Sequence, residues 1–313
     1  MTSPPTMQQP HAGAVVAEAA TLRTPSGGRR RSAWARFAAD RIGLGALGLL
    51  LLIAAVSAAA PLLASGVLHT DPDQFLRTPS GRIAILQPPG PGYPLGTDEL
   101  GRDVLTRLLY AGRVSLLVGF GVAFVALAIG APLGLLAGFL GGRVDDLVNA
   151  CVQLVLNVPL LFVLIVLSIQ LSPSVVELAV LFGFFFWPGT ARQVRAVVLS
   201  VRSREYVEAA RVLGASNARI ILRHVLPNVV SVMLVVAGID VAAAILAESG
   251  LSFLGFGVPV PLSSWGNMLS GSQEQFRAAP WLVYPPGAMI FLAVLAVYLV
   301  ADALRDAFDP RLS

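Results

Sequence analysis

Six apolar runs of membrane-crossing length, joined by arginine-bearing connections, leave this chain one kind of fold. They cover roughly residues 42–64, 114–140, 147–171, 175–187, 229–247 and 286–303. A helix rising about 1.5 Å per residue crosses a hydrocarbon core of about 30 Å in some 20 residues. The fourth run is short, but Ala191 and Val194 can extend it. Only 13% of the 313 residues are charged, against roughly 25% in a soluble domain. That is too little charge to solvate a globular surface. The expected fold is therefore an all-α integral membrane protein with six transmembrane helices. A cleaved signal peptide is the rival reading of the first run, because Arg29-Arg30-Arg31 precedes it and Ser57-Ala58-Ala59-Ala60 lies within it. The run exceeds a usual signal core of about 7–15 residues, so it reads as a retained anchor.

Four regions follow. Residues 1–34, rich in Pro, Ser, Thr and Gly, read as a disordered cytoplasmic tail. Residues 35–64 hold the first transmembrane helix. Residues 65–113 are polar and read as an external loop with an entry helix, capped by Thr97 with Asp98 and Glu99 in its first turn. Residues 114–313 form a five-helix core interrupted by a polar loop over 192–228. An even number of spans puts both termini on one side. Arg23, Arg29, Arg30, Arg31, Arg36 and Arg41 precede the first span, while Arg192, Arg195, Arg202, Arg204, Arg211, Arg219 and Arg223 fall in the polar loop. The positive-inside rule makes both groups cytoplasmic. In the outer segment Asp71, Asp73, Asp98, Glu99 and Asp103 balance the arginines.

Every cation is arginine; the sequence contains no lysine. A P-loop needs the lysine of its G-x-x-x-x-G-K-[ST] pattern. No cofactor is expected on this chain, and an ATP-driven process would need ATP and Mg bound by another subunit. The single cysteine, Cys151, excludes an internal disulfide and a thiolate metal cluster, and His11, His69 and His224 are scattered. No metal site is expected. The basic pI of about 9.8 does not argue for nucleic acid, because the arginines sit beside apolar segments.

The polar loop has structure of its own. Ser203 can cap a helix starting at Arg204, with Glu205 in its first turn. Gly214 suits a left-handed terminus. Ser216 or Asn217 can cap a second helix, which Pro227 would stop soon after His224. Ala209 and Ala210 leave a low-profile face, and Glu208 offers one charge to an arginine opposite. An amphipathic interfacial loop is the blander reading. A DNA-reading helix-turn-helix is disfavoured because flanking spans hold the unit at the membrane.

The stretch Glu208-Ala209-Ala210, then Gly214-Ala215-Ser216, then His224 with Leu226-Pro227-Asn228, resembles the EAA signature of bacterial ABC-importer permeases. Pro94-Leu95-Gly96-Thr97-Asp98-Glu99-Leu100-Gly101-Arg102-Asp103 and Leu251-Ser252-Phe253-Leu254-Gly255-Phe256-Gly257, with Trp265-Gly266-Asn267, are similar to the dipeptide/oligopeptide/nickel permease group. The end, Leu304-Arg305-Asp306-Ala307-Phe308-Asp309-Pro310-Arg311-Leu312, resembles the C-type permease of such systems. The resemblance covers roughly 35–313. It implies a type I importer fold in the bacterial cytoplasmic membrane, importing short peptides by alternating access. The implied partners are a B-type permease, two ABC ATPase domains, an external substrate-binding protein and the lipid bilayer. Glu208, Ala209, Ala210, Gly214, Ala215 and Ser216 would couple the chain to the ATPase. Nickel or another small solute is the alternative cargo, and a non-transporting membrane scaffold a distant alternative. An intramembrane enzyme lacks a nucleophile with an evident base.

Polar residues at membrane depth are candidates for the translocation path. Asn149, Gln153 and Asn157 recur every four residues, along one slowly turning helical face. That face should meet a cavity or another helix, and Pro159 should kink the helix. The related permeases often carry an arginine and an aspartate where this chain has Ala150 and Gln153. Asp240 lies well inside the fifth run, where a carboxylate costs roughly 2.5–3.5 kcal/mol on insertion scales. It either faces the translocation cavity or bonds to a neighbouring helix of the partner permease. Glu248, at the outer end of the same run, is expected at low cost near the surface. Gly255, Gly257, Pro259 and Pro261 predict a tightly turned outer loop. With Trp265 it either meets the binding protein or packs back on the spans.

Overall fold

The computed structural model describes residues 33–171 and 173–308. Nearly all of the expected N-terminal tail, and residues 309–313 of the closing segment, lie outside them. The helices are α1 (Ala33–Phe37), α2 (Arg41–Ala58), α3 (Val104–Leu140), α4 (Gly142–Leu156), α5 (Leu160–Leu171), α6 (Val175–Arg202), α7 (Glu205–Val212), α8 (Asn217–Ile220), α9 (Leu226–Phe253) and α10 (Tyr284–Phe308). Helical turns at Ala60–Leu63 and Ala64–Leu68 prolong α2.

Among the described residues five helical stretches are long and apolar enough to span: Arg41–Ala58, Val104–Leu140, Val175–Arg202, Asn217–Phe253 and Pro280–Phe308. The third expected span, over 147–171, is not one straight helix. It is the pair α4 and α5, bent by 72° at their junction. Pro159 sits at that break, where its ring and missing N–H prevent a continuous ladder.

Helix α3 starts at Val104, about ten residues before the predicted run. Its cap is Asp103, not Thr97. Asp103 Oδ2 accepts from the Thr106 N–H at 2.8 Å and from the Thr106 hydroxyl at 2.6 Å. Thr97 is instead fully buried; its hydroxyl donates to the Ala84 carbonyl and accepts the Gln87 N–H. Gly101 decides between the two starts. Its φ of +77° is left-handed, so no helix can run through it.

The α3–α6 pair forms the closest part of the bundle. Gly130, Gly134 and Gly138 recur every four residues and so lie on one stripe. A Cβ at Gly130 would sit 2.6 Å from the Trp187 carbonyl oxygen, and one at Gly134 would sit 2.5 Å from that of Ala191. Lipid supplies no hydrophobic drive for helices to associate, so such small residues are what let two backbones touch.

Contact with α3 also explains why α6 outruns its apolar sequence. It continues to Arg202, so Arg192, Arg195 and Arg202 belong to the helix and not to a loop. Arg195 binds Asp145 of α4 through both carboxylate oxygens, at 2.5 and 2.6 Å. Arg202 donates to the carbonyls of Gly138 at 2.8 Å and Phe139 at 3.4 Å. These are acceptors that the end of α3 leaves without intrahelical partners.

At the opposite end of the bundle the outer loops pack on the spans. Trp265 is fully buried, which selects the packed-back reading of its loop. Its backbone N–H donates to the Ser115 hydroxyl at 3.1 Å, and its indole N–H to the Leu108 carbonyl at 3.3 Å. Glu248, expected near the surface, is fully buried beneath this loop. Its carboxylate accepts from Ser252 at 2.6 Å and Ser115 at 3.4 Å. Burial is tolerable here because hydroxyls replace water.

Candidate functional site

Beyond Arg202 the chain leaves the bundle for one short helix and returns. Ser203 does not cap this helix. Its hydroxyl donates back to the Ser200 carbonyl at 3.2 Å, at the end of α6. Arg204 occupies the N-cap position of α7 without a side-chain cap. Glu205 and Glu208 in the first turn favour the start electrostatically. The end behaves as expected from Gly214, whose φ is +81°. The Ala215 N–H bonds the Ala210 carbonyl at 3.1 Å and the Gly214 N–H bonds that of Arg211 at 3.0 Å. This is the paired closure of a Schellman motif.

Ser216 caps α8, accepting the Arg219 N–H at 3.4 Å. Pro227, however, does not end the second helix. A π turn at Ile221–Val225 carries it straight into α9, with the Leu226 N–H reaching the Ile221 carbonyl. Pro227 sits in the first turn of α9. The widened turn absorbs the donor that proline lacks. Mechanically, α8 is the end of a spanning helix rather than a separate piece.

Two faces of α7 differ sharply. Val207 is fully buried with Val194, Val198, Ile220 and Val225, so one side is held by α6 and by the start of the fifth span. Glu208 and Ala209 are exposed and Ala210 is half-buried. Val212 and Leu213 are each 87% exposed. An open hollow of about 490 Å³ lies beside this face, edged by Phe139, Arg202, Glu208 and Arg211. The guanidinium of Arg211 lies 5.9 Å from the centre of the Phe139 ring. Sequence reasoning missed Val212 and Leu213. Their signal was two apolar residues ending a short polar helix with nothing following to cover them.

The residues considered for a path are spread out. The side-chain amide of Asn149 donates to its own helix, to the Asp145 carbonyl at 3.0 Å and carboxylate at 2.9 Å. Gln153 on α4 and Asn157 at its C-cap are exposed, and among the described residues their side chains make no hydrogen bond to another helix. Asp240 is elsewhere, buried between α9 and α6, where it accepts the Thr190 hydroxyl at 2.8 Å. Its neighbour is thus a helix of the same chain. Asn at 240 can still accept that bond. Asp240→Asn should change stability by no more than about 1 kcal/mol. Thr190→Val should be worse, stranding a buried carboxylate at about 1–3 kcal/mol. Thermal unfolding of the purified protein ranks the pair; equal effects would count against the Thr190 bond as the main contact.

Residues 130–313 match the family model described as binding-protein-dependent transport system inner membrane component. The oligopeptide transport system permease protein OppC of Mycobacterium tuberculosis (strain ATCC 25618 / H37Rv) is 37% identical over 285 residues, covering 90% of this chain and 94% of that protein. The di/tripeptide transport system permease protein DppC of Pseudomonas aeruginosa (strain UCBPP-PA14) is 37% identical over 283 residues, covering 89% and 91%. Among solved structures, the inward-facing MetNI methionine ABC transporter matches with a TM-score of 0.52 at 20% identity, over 64% of this chain and 96% of that one. That likeness concerns the fold alone.

Proposed function

Because this chain belongs to the family of binding-protein-dependent transport system inner membrane components, a multi-pass bacterial inner-membrane family, we propose that it is the C-type permease subunit of an ATP-driven peptide importer. Its relatives of similar length are named for oligopeptides and di- or tripeptides, which supports short peptides as cargo. It works with a B-type permease, two ATPase domains that hold ATP and Mg, and an external binding protein. The N-terminus, α7 and the C-terminus face the cytoplasm.

The observation that carries this reading is the asymmetry of α7. Its inner side is locked into the ends of two spanning helices, and its outer side leaves Glu208, Ala209, Val212 and Leu213 uncovered among the described residues. A helix so built transmits a push without bending. The small alanines allow close approach, the apolar pair buries against a partner, and Glu208 supplies a charge for orientation. When the ATPase pair closes or opens, α7 moves with it. The Ser203–Arg204 junction then passes that displacement to α6, and the Schellman turn and the π turn pass it to α9; these helices carry Thr190 and Asp240. Alternating access follows from rocking these helices against the partner permease.

A single labelling experiment tests the geometry. In a Cys151→Ser background, Val212→Cys should react with a membrane-impermeant thiol reagent in inside-out vesicles and not in right-side-out ones. Co-expressed ATPase should suppress that labelling. Labelling from the outside would overturn the assignment.

A further inference from the structure

A second cavity lies at the other end of the bundle, where the outer loops meet the spans. Its volume is about 530 Å³, within the range of roughly 300–1,000 Å³ usual for ligand clefts. The walls come from four places: Arg102 and Arg107 at the entry to α3, Ser168 near the end of α5, Phe256 in the turned loop after α9, and Asn267 and Ser270 farther along. Among the described residues lining it are two cations and no carboxylate.

The two arginines are not equally satisfied. Arg102 Nε binds Asp98 Oδ2 at 2.7 Å. Arg107 is the more buried, with its side chain only 7% exposed, yet its contacts are all long. Its Nη1 lies 3.4 Å from Asp73 and 3.3 Å from the Pro72 carbonyl, and its Nε lies 3.7 Å from the same Asp98 oxygen. Asp73 is half-exposed, so water weakens its pull. One carboxylate oxygen thus serves two guanidinium groups. Guanidinium has five donors in a planar fork, and most of those on these two residues have no partner among the described residues. A charge-assisted fork onto a carboxylate is the geometry arginine is suited to.

We infer that this cavity receives the free α-carboxylate of a peptide entering the transport path, bound by Arg102 and Arg107. This rests on the peptide-importer reading of the chain and names a site within that path. Ser168 supplies a hydroxyl for the adjoining peptide unit, while Phe256 gives the side chain an apolar wall. Recognition of a terminus rather than of side chains lets one cavity serve peptides of many sequences. It sits where helices α5 and α9 end, so relative motion of those helices would open or close it.

The test uses the assembled permease pair with its ATPases in nanodiscs, without binding protein. In a Cys151→Ser background, Ser270→Cys places a thiol at the cavity rim. Tri-alanine should slow its labelling, with a half-protecting concentration about tenfold below that of tri-alanine amide, the size expected for losing charge-assisted hydrogen bonds. Arg102→Gln should abolish the difference, and Arg102→Lys should restore part of it. Equal protection by acid and amide, no protection, or a difference that survives Arg102→Gln would each overturn the assignment. If Arg102→Gln does not assemble, the acid–amide contrast and the Arg102→Lys variant still decide. Tri-alanine uptake by the complete importer is measured alongside. Uptake without protection removes only the cavity assignment; no uptake of any di- or tripeptide removes the peptide reading itself.

Discussion

Glu208→Lys should abolish peptide uptake while the permease chain itself remains folded. Glu208 is exposed on α7 and makes no ion pair within the described chain, so its reversal costs the fold almost nothing. In the assembly it would be covered. A charge left buried without its partner at an interface costs about 2–5 kcal/mol, and reversal adds repulsion from the cation that had matched it. ATPase affinity should therefore fall by at least about thirtyfold. Pull-down of the ATPase by the tagged permease measures this directly, and uptake in vesicles gives the functional counterpart. On this reading the chain should still co-purify with its B-type partner, because the substitution leaves the spanning helices unchanged. Normal uptake with Glu208→Lys would remove coupling through this helix. Collapse of the permease pair would mean that Glu208 is structural.

Gly134→Val should sharply reduce assembly for a reason unrelated to coupling. The added Cβ would lie 2.5 Å from the Ala191 carbonyl oxygen and 2.9 Å from the Val194 Cβ. A backbone oxygen cannot swing aside as a side chain can, so α3 and α6 must separate along their length. Overpacking of this kind costs about 1–3 kcal/mol and sometimes more. Separation would also loosen Arg202 from the end of α3 and pull on α7. The yield of intact complex by size-exclusion chromatography should drop about tenfold. Gly48→Ala, with nothing within 4 Å of its added Cβ, should leave the yield unchanged. Similar yields for both variants would show that α3 and α6 are not held by this stripe.

The short helix α7 was legible because its signals are local. Acidic residues in a first turn, alanines on one face and glycine at the left-handed end are all read within about ten residues. Its boundaries were less legible. Ser203 looks like an N-cap, but it lies at the end of a helix that tertiary contact extends beyond its apolar stretch. Pro227 looks like a stop, but a π turn absorbs it. Val212 and Leu213 were passed over because exposure is not written in a residue's type. Asp240 and Glu248 show the same limit: their rarity in apolar runs marked them, while their partners Thr190 and Ser115 stand 50 and 133 positions away.

By itself the sequence determined that this chain lives in a membrane, that its spans are helical, and that it carries one polar helix–glycine–helix unit between them. Hydrophobicity over some 20 residues and short-range capping chemistry suffice for those conclusions, since both act along a single segment. Only the tertiary structure decided how far each helix runs, that Pro159 breaks one span, that the Trp265 loop folds back, and that Arg102 and Arg107 share a cavity. Those outcomes depend on groups brought together from distant segments, where a carbonyl, a hydroxyl or a missing Cβ on one helix changes what its neighbour can do.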